Sequence, residues 1–142
     1  MPHTALPDSG MIHGDADARG LFKRFHAPDG LVLTTAVTWA AGRPCAQPTP
    51  QTPFDVTFEL RLQDLSVDPD SAYPHDWCVL QIVAVGARYW RIQGHSMIIL
   101  DEVSFEWAGG MGTLDLDAGS GDANSDCLVR GTSYEWTKLP YR

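Results

Sequence analysis

A mainly β fold, an antiparallel sandwich or partly open barrel of about eight short strands with one short N-terminal helix, is what this sequence predicts. Three observations carry that expectation. In residues 54–65, FDVTFELRLQDL, the residues Phe54, Val56, Phe58, Leu60 and Leu62 share one parity, and Asp55, Thr57, Glu59, Arg61 and Gln63 share the other. That is the period-two pattern of a strand with one dry and one wet face. Residues 77–85, WCVLQIVAV, are apolar on both parities except at Gln81, as in a central strand covered on both faces. The remainder breaks into short apolar or β-branched runs separated by Gly, Pro and Asp, with neither a βαβ alternation nor an internal repeat.

The elements follow in chain order. Residues 1–14 mix Pro2, Pro7, Asp8, Ser9, Gly10 and Gly14, a turn-former composition expected of a flexible leader. Residues 15–26, DADARGLFKRFH, suit one helix: Asp15 can cap it, acidic residues come early, and Lys23 and Arg24 come late, as the helix dipole favours. Leu21, Phe22 and Phe25 would form its buried edge. Pro28-Asp29-Gly30 is expected to turn the chain into a first strand, residues 31–39. Residues 40–53 carry Gly42, Pro44, Pro48, Pro50 and Pro53, too much proline for a ladder, and are read as a surface crossover loop.

The strand at residues 54–65 comes next, then a loop containing Asp68-Pro69-Asp70 and Tyr73-Pro74-His75, then residues 77–85. Gly86-Ala87 is expected to turn the chain into a hairpin with residues 88–93. A further strand is expected within residues 96–107, bent near Leu100 because Asp101 interrupts its apolar parity. A glycine turn at 108–112 leads to a short strand at 113–116, a polar loop at 117–126, and a terminal hairpin of residues 127–130 with 133–138. Residues 15–142 are thus expected to form a single β-rich domain.

The composition supports a packed core, with 44% hydrophobic residues, five Trp, five Phe and four Tyr. A net charge of −8 and a pI near 4.8 disfavour a surface that tracks a phosphate backbone, which requires clustered Lys and Arg. A basic protein partner is expected instead, with no nucleic acid and no membrane. The three cysteines, Cys45, Cys78 and Cys127, are spaced neither as a disulfide framework nor as zinc ligands. No basic segment followed by an apolar one opens the chain, and no apolar run could span a bilayer, so a cytoplasmic location is expected.

Catalytic signatures do not emerge. His3, His13, His26, His75 and His95 form no pair at metal-ligand spacing, Cys78 sits in an apolar strand, and Ser96 lacks a glycine elbow. Oxygen donors do gather in GGMGTLDLDAGSGDANSD, residues 109–126. Asp115, Asp117, Asp122, Asn124 and Asp126 are the residues there that a calcium ion would use, although the EF-hand glycine position is Cys127 and its distal glutamate position is Ser133. A solvated acidic loop is the first reading. For partner binding the candidates are the acidic, aromatic projection with Asp70, Tyr73, His75 and Asp76, the carboxylates of Asp122 and Asp126, and the amphipathic aromatics Tyr134 and Trp136.

Three segments, LFKRFHAPDGLVL (residues 21–33), VTFELRLQDLSV (56–67) and TLDLDAGSGDANSDCLVRGTSYEW (113–136), together resemble small bacterial immunity proteins of polymorphic-toxin systems and related β-rich domains. The shared pattern is an FH-containing helix end, a strand ending in acidic residues, and a late LD-x-G loop before a terminal hairpin. The resemblance implies a cytoplasmic antidote that binds and blocks a cognate toxin, and it implies no catalytic residue. The expected function is therefore a non-enzymatic binding domain that occludes a basic partner. The alternatives are a small-ligand domain binding calcium or a glycan, and an enzyme whose site is assembled from distant residues such as His75, His95 and a carboxylate.

Overall fold

The computed structural model describes residues 6–39, 54–67, 76–87, 89–92, 100, 103–117 and 127–140. Its elements in chain order are β1 (Ser9–Ile12), α1 (Asp15–Arg24), β2 (Phe25–Trp39), β3 (Phe54–Asp64), β4 (Trp77–Ala87), β5 (Tyr89–Ile92), β6 (Ser104–Ala108), β7 (Met111–Asp115), β8 (Cys127–Gly131) and β9 (Ser133–Leu139). They form two antiparallel sheets, one of five strands in the order β1-β9-β4-β3-β2 and one of four in the order β5-β8-β7-β6. The fold is a β-sandwich with a short N-terminal helix; the sheets do not close into a barrel.

The strand β3 alternates as its sequence demands. Val56, Phe58, Leu60 and Leu62 are fully buried, while Thr57, Glu59, Arg61 and Gln63 stay partly exposed. On the wet face the Thr34 hydroxyl of β2 donates to Glu59 Oε1 at 2.8 Å, the cross-strand partnering that such a row invites. Leu80, Ile82 and Ala84 of β4 and Tyr134 of β9 continue the dry face, and Leu114, Cys127 and Val129 meet them in the same core from the second sheet. Cutting Leu60, Leu62, Leu80, Ile82 or Leu114 down to Ala costs about 2–5 kcal/mol, since the cavity collapses only in part.

Several expected connections are redrawn. The leader expected over residues 1–14 is structured at Ser9–Ile12, which pairs with β9 from Ser9 opposite Thr137 to Ile12 opposite Tyr134. Ile12 is fully buried there, so a turn-former composition is overruled by one apolar anchor and a free sheet edge. The helix ends at Arg24, two residues before the expected boundary. The expected turn at Pro28-Asp29-Gly30 lies instead inside β2, whose register shifts between His26 and Leu31. Asp29 takes φ 67° there, and its N–H donates to the Leu100 carbonyl at 3.0 Å, while the Leu100 N–H donates to the Gly30 carbonyl at 2.8 Å. The Pro-rich residues 40–53 lie outside the described residues. The strands they join are neighbours, with Trp39 opposite Phe54, so no strand is crossed between them.

Two expected hairpins are corners between sheets. β4 belongs to the first sheet and β5 to the second, where it pairs with β8 from Tyr89 opposite Arg130 to Ile92 opposite Cys127. Likewise β8 lies in the second sheet and β9 in the first, where β9 pairs with β4 from Ser133 opposite Val85 to Leu139 opposite Val79. Local sequence places the strands, but an adjacent pair can equally be folded across a sandwich. The β6–β7 hairpin is as expected: Gly109 and Gly110 take φ 61° and 77°, the two positive values that a tight two-residue hairpin turn needs.

An ion cluster clamps one end of the first sheet. Asp64, almost fully buried at the end of β3, accepts from Arg24 through Nε to Oδ1 at 3.2 Å and Nη2 to Oδ2 at 3.1 Å. Lys138 Nζ adds a bond to Oδ2 at 2.8 Å, and the Ser66 hydroxyl and N–H donate to Oδ1 at 2.6 and 2.9 Å. Burial opposes ionisation of Asp64, but these donors together outweigh it and hold the carboxyl well below the usual carboxylate range. Arg24 also reaches the Pro7 carbonyl at 2.6 Å and lies over the Phe25 ring at 4.7 Å. The cluster therefore ties the N-terminal segment, the helix end, β3 and β9 into one unit.

Candidate binding cleft

The helix α1 presents Asp15, Ala18, Arg19 and Phe22 on one face, the spacing at which successive turns stack. That face lies alongside β6, the outer strand of the second sheet. Its first turn is organised by two carboxylates. Asp17 Oδ2 accepts the His13 N–H at 3.0 Å, and Asp15 Oδ1 accepts the Trp107 N–H at 2.9 Å. The second bond covers a donor of β6 that would otherwise sit unpaired at a sheet edge.

Between helix and strand lies a cleft of about 600 Å³, lined by Asp15, Ala18, Arg19 and Phe22 from one side and Val103, Ser104, Phe105, Glu106 and Trp107 from the other. Its floor is aromatic. Phe105 and Trp107, two residues apart on β6, stack with centroids 5.1 Å apart and planes at 22°, and Phe22 meets Phe105 at 6.2 Å. All three rings are half-buried. Two acidic side chains and one basic side chain, Asp15, Glu106 and Arg19, complete the lining.

The floor is held from beneath. Tyr134 is fully buried and packs edge-on against Phe105 at 4.6 Å and Trp107 at 5.6 Å. Its hydroxyl donates to the Gly112 carbonyl at 2.7 Å, with the Val129 carbonyl at 3.3 Å, and burial keeps the phenol above its ordinary pKa. Gly112 faces the Trp107 ring so closely that a Cβ there would fall 2.6 Å from two ring carbons. An aromatic ring can lie flat on β7 only where that strand has no side chain.

The residues expected from sequence to bind a partner are distributed differently. Tyr134 is corrected from a surface anchor to a core residue, because its parity on β9 directs it between the sheets. Trp136, on the same parity, is half-buried midway along β9, 5.7 Å from Phe25 and with Arg24 over its ring at 5.7 Å. Asp76 is half-buried; its Oδ2 accepts from Gln63 Nε2 at 2.5 Å, its carbonyl accepts the Asp64 N–H at 2.7 Å, and its Oδ1 is buried with no hydrogen-bond partner among the described residues. Asp70, Tyr73, His75, Asp122 and Asp126 lie outside the described residues.

Of the calcium candidates, Asp115 is buried at the end of β7, where its Oδ1 accepts the Asp117 N–H at 2.9 Å in a local turn. Asn124 lies with Asp122 and Asp126 outside the described residues, and among the described residues no three His, Cys, Asp or Glu side chains gather as a metal site. Cys78 and Cys127 are buried cysteines, and burial pushes the Cys78 pKa up to about 11. No helix among the described residues is long and apolar enough to cross a membrane.

Asp15, Arg19, Phe22, Phe105, Glu106 and Trp107 were not legible as one group. The helical spacing of the first three and the shared parity of Phe105 and Trp107 are visible in the sequence; their juxtaposition is tertiary. Against family models, curated proteins and solved structures alike, the chain shows no match.

Proposed function

We propose that this protein is a non-enzymatic binding domain that takes a basic segment of a protein partner into the cleft between α1 and β6 and occludes it, in the manner of an immunity protein acting on a toxin in the cytoplasm. The observation that carries the reading is the cleft's composition, half-open aromatic faces beside Asp15 and Glu106, in a chain of net charge −8. The acidic surface speeds encounter with a basic partner. An arriving Arg or Lys can then lie over the Phe105 and Trp107 rings, an attraction worth about 0.5–2 kcal/mol according to how far it is desolvated. The same chemistry already operates within the molecule, where Arg24 lies over Phe25 at 4.7 Å and Arg130 over Tyr89 at 5.1 Å.

One observation favours a second reading. The Phe105 and Trp107 rings, stacked with planes nearly parallel at 22°, also offer a half-exposed aromatic surface on which a sugar ring can stack. A titration of the ¹⁵N-labelled protein separates the two, using an oligoarginine peptide in one series and neutral oligosaccharides in another. On the occlusion reading the peptide shifts resonances of α1 and β6, loses affinity as salt is raised, and binds Trp107→Ala roughly tenfold more weakly. Peptide shifts scattered over the surface with α1 and β6 unmoved would sink it. Salt-insensitive shifts at the same residues with an oligosaccharide would favour the glycan reading.

A further inference from the structure

The four outer strands of the two sheets are treated unequally. β1 and β5 are four residues long, and the edge of β6 is covered by α1, with Asp15 on the Trp107 N–H. Among the described residues β2 is covered only in its first half, where Leu100 exchanges two backbone hydrogen bonds with Asp29 and Gly30. Beyond its second register shift, residues 34–39 run in unbroken register along β3. Half of the backbone N–H and C=O groups of such a run point away from the sheet. Its own residues carry none of the usual edge-blunting features: no Lys, no Pro and no bulge.

The occupant that such an edge accepts is another strand. We propose that it is the same segment of a second copy, paired antiparallel about a two-fold axis at Ala36. The residues are close to symmetric about that point: Thr34 would face Thr38 of the second copy, and Thr35 would face Val37. Thr34 to Thr38 carry no charge in a chain of net −8, so two acidic molecules can approach through this strip without opposing like charges in the new ladder. Thr35 and Val37 also lie opposite Phe58 and Val56 on the core side of the sheet, yet both are exposed, Val37 by 38%. A second copy would cover them with their own kind. A contact of this size falls below about 1,200 Å² of buried surface, so the dimer is reversible and concentration-dependent.

Sedimentation of the full chain over a wide concentration range is the test, with two charge designs. Thr35→Lys with Val37→Lys places like charges opposite each other twice across the axis and weakens dimerisation roughly tenfold or more. Thr35→Lys with Val37→Glu changes the same positions but faces opposite charges, and restores dimerisation to near the wild-type level. Thermal melts establish that each variant folds; should either fail, the same pair of designs at Thr34 and Thr38 on the solvent face replaces them. A chain that stays monomeric up to millimolar concentration overturns the proposal, and so does a dimer that responds alike to both designs, which would place its interface elsewhere.

Discussion

Tyr134 does three things at one position: it fills the core, bonds two carbonyls across the sandwich and backs the cleft floor. Tyr134→Phe keeps the ring and leaves the Gly112 and Val129 carbonyls buried without the hydroxyl. The expected cost is about 1–2 kcal/mol, read as a lower urea midpoint at unchanged slope. Gly112→Ala acts on the cleft more directly, because the added methyl collides with the Trp107 ring. Its signature is a changed Trp107 indole resonance with the rest of the spectrum largely preserved. Cys78 lies in an apolar strand, and its burial and raised pKa make it an inert small hydrophobe. Tyr134 shows the limit of reading a role from strand position, since an aromatic on a strand can serve a core or an interface, and only the opposing sheet decides which.

β3 was the most legible element, because a strict period of two admits one geometry, and its dry and wet faces are as expected. The first turn of α1 was legible too, through its acidic residues, although Asp15 serves the neighbouring strand and not its own helix end. Asp64, the last residue of β3, was not: an aspartate at the end of an amphipathic strand looks like a surface residue until Arg24 and Lys138 arrive from 40 and 74 residues away. Its unfolded carboxyl takes a proton near pH 3.9, and the folded one only at lower pH. The stability it contributes is therefore fully present at neutral pH and is lost as pH falls below about 4. Asp64→Asn is expected to cost about 3 kcal/mol at pH 7, since two cations lose their partner. Urea unfolding at pH 7 and pH 3 should show the gap between variant and wild type narrowing in acid.

For the whole molecule, melting in EDTA, then with calcium, then with zinc separates the binding readings. A cation held only by the native state raises the midpoint by linkage, whereas occlusion through the α1–β6 cleft predicts one midpoint in all three conditions. A rise of several degrees with calcium would instead assign a cation to the oxygen-rich stretch that begins at Asp115. The antiparallel β class, the short N-terminal helix and the dry face of β3 were determined by the sequence alone, because hydrophobic period and turn chemistry act between residues close in the chain, whereas a sandwich and a partly open barrel share those local patterns. The tertiary structure alone decided that β1 joins β9, that the chain changes sheets after β4 and after β8, and that Phe22 meets Phe105 across a cleft. Those choices depend on which faces bury best against each other, a property of the packed sheets that no local window contains.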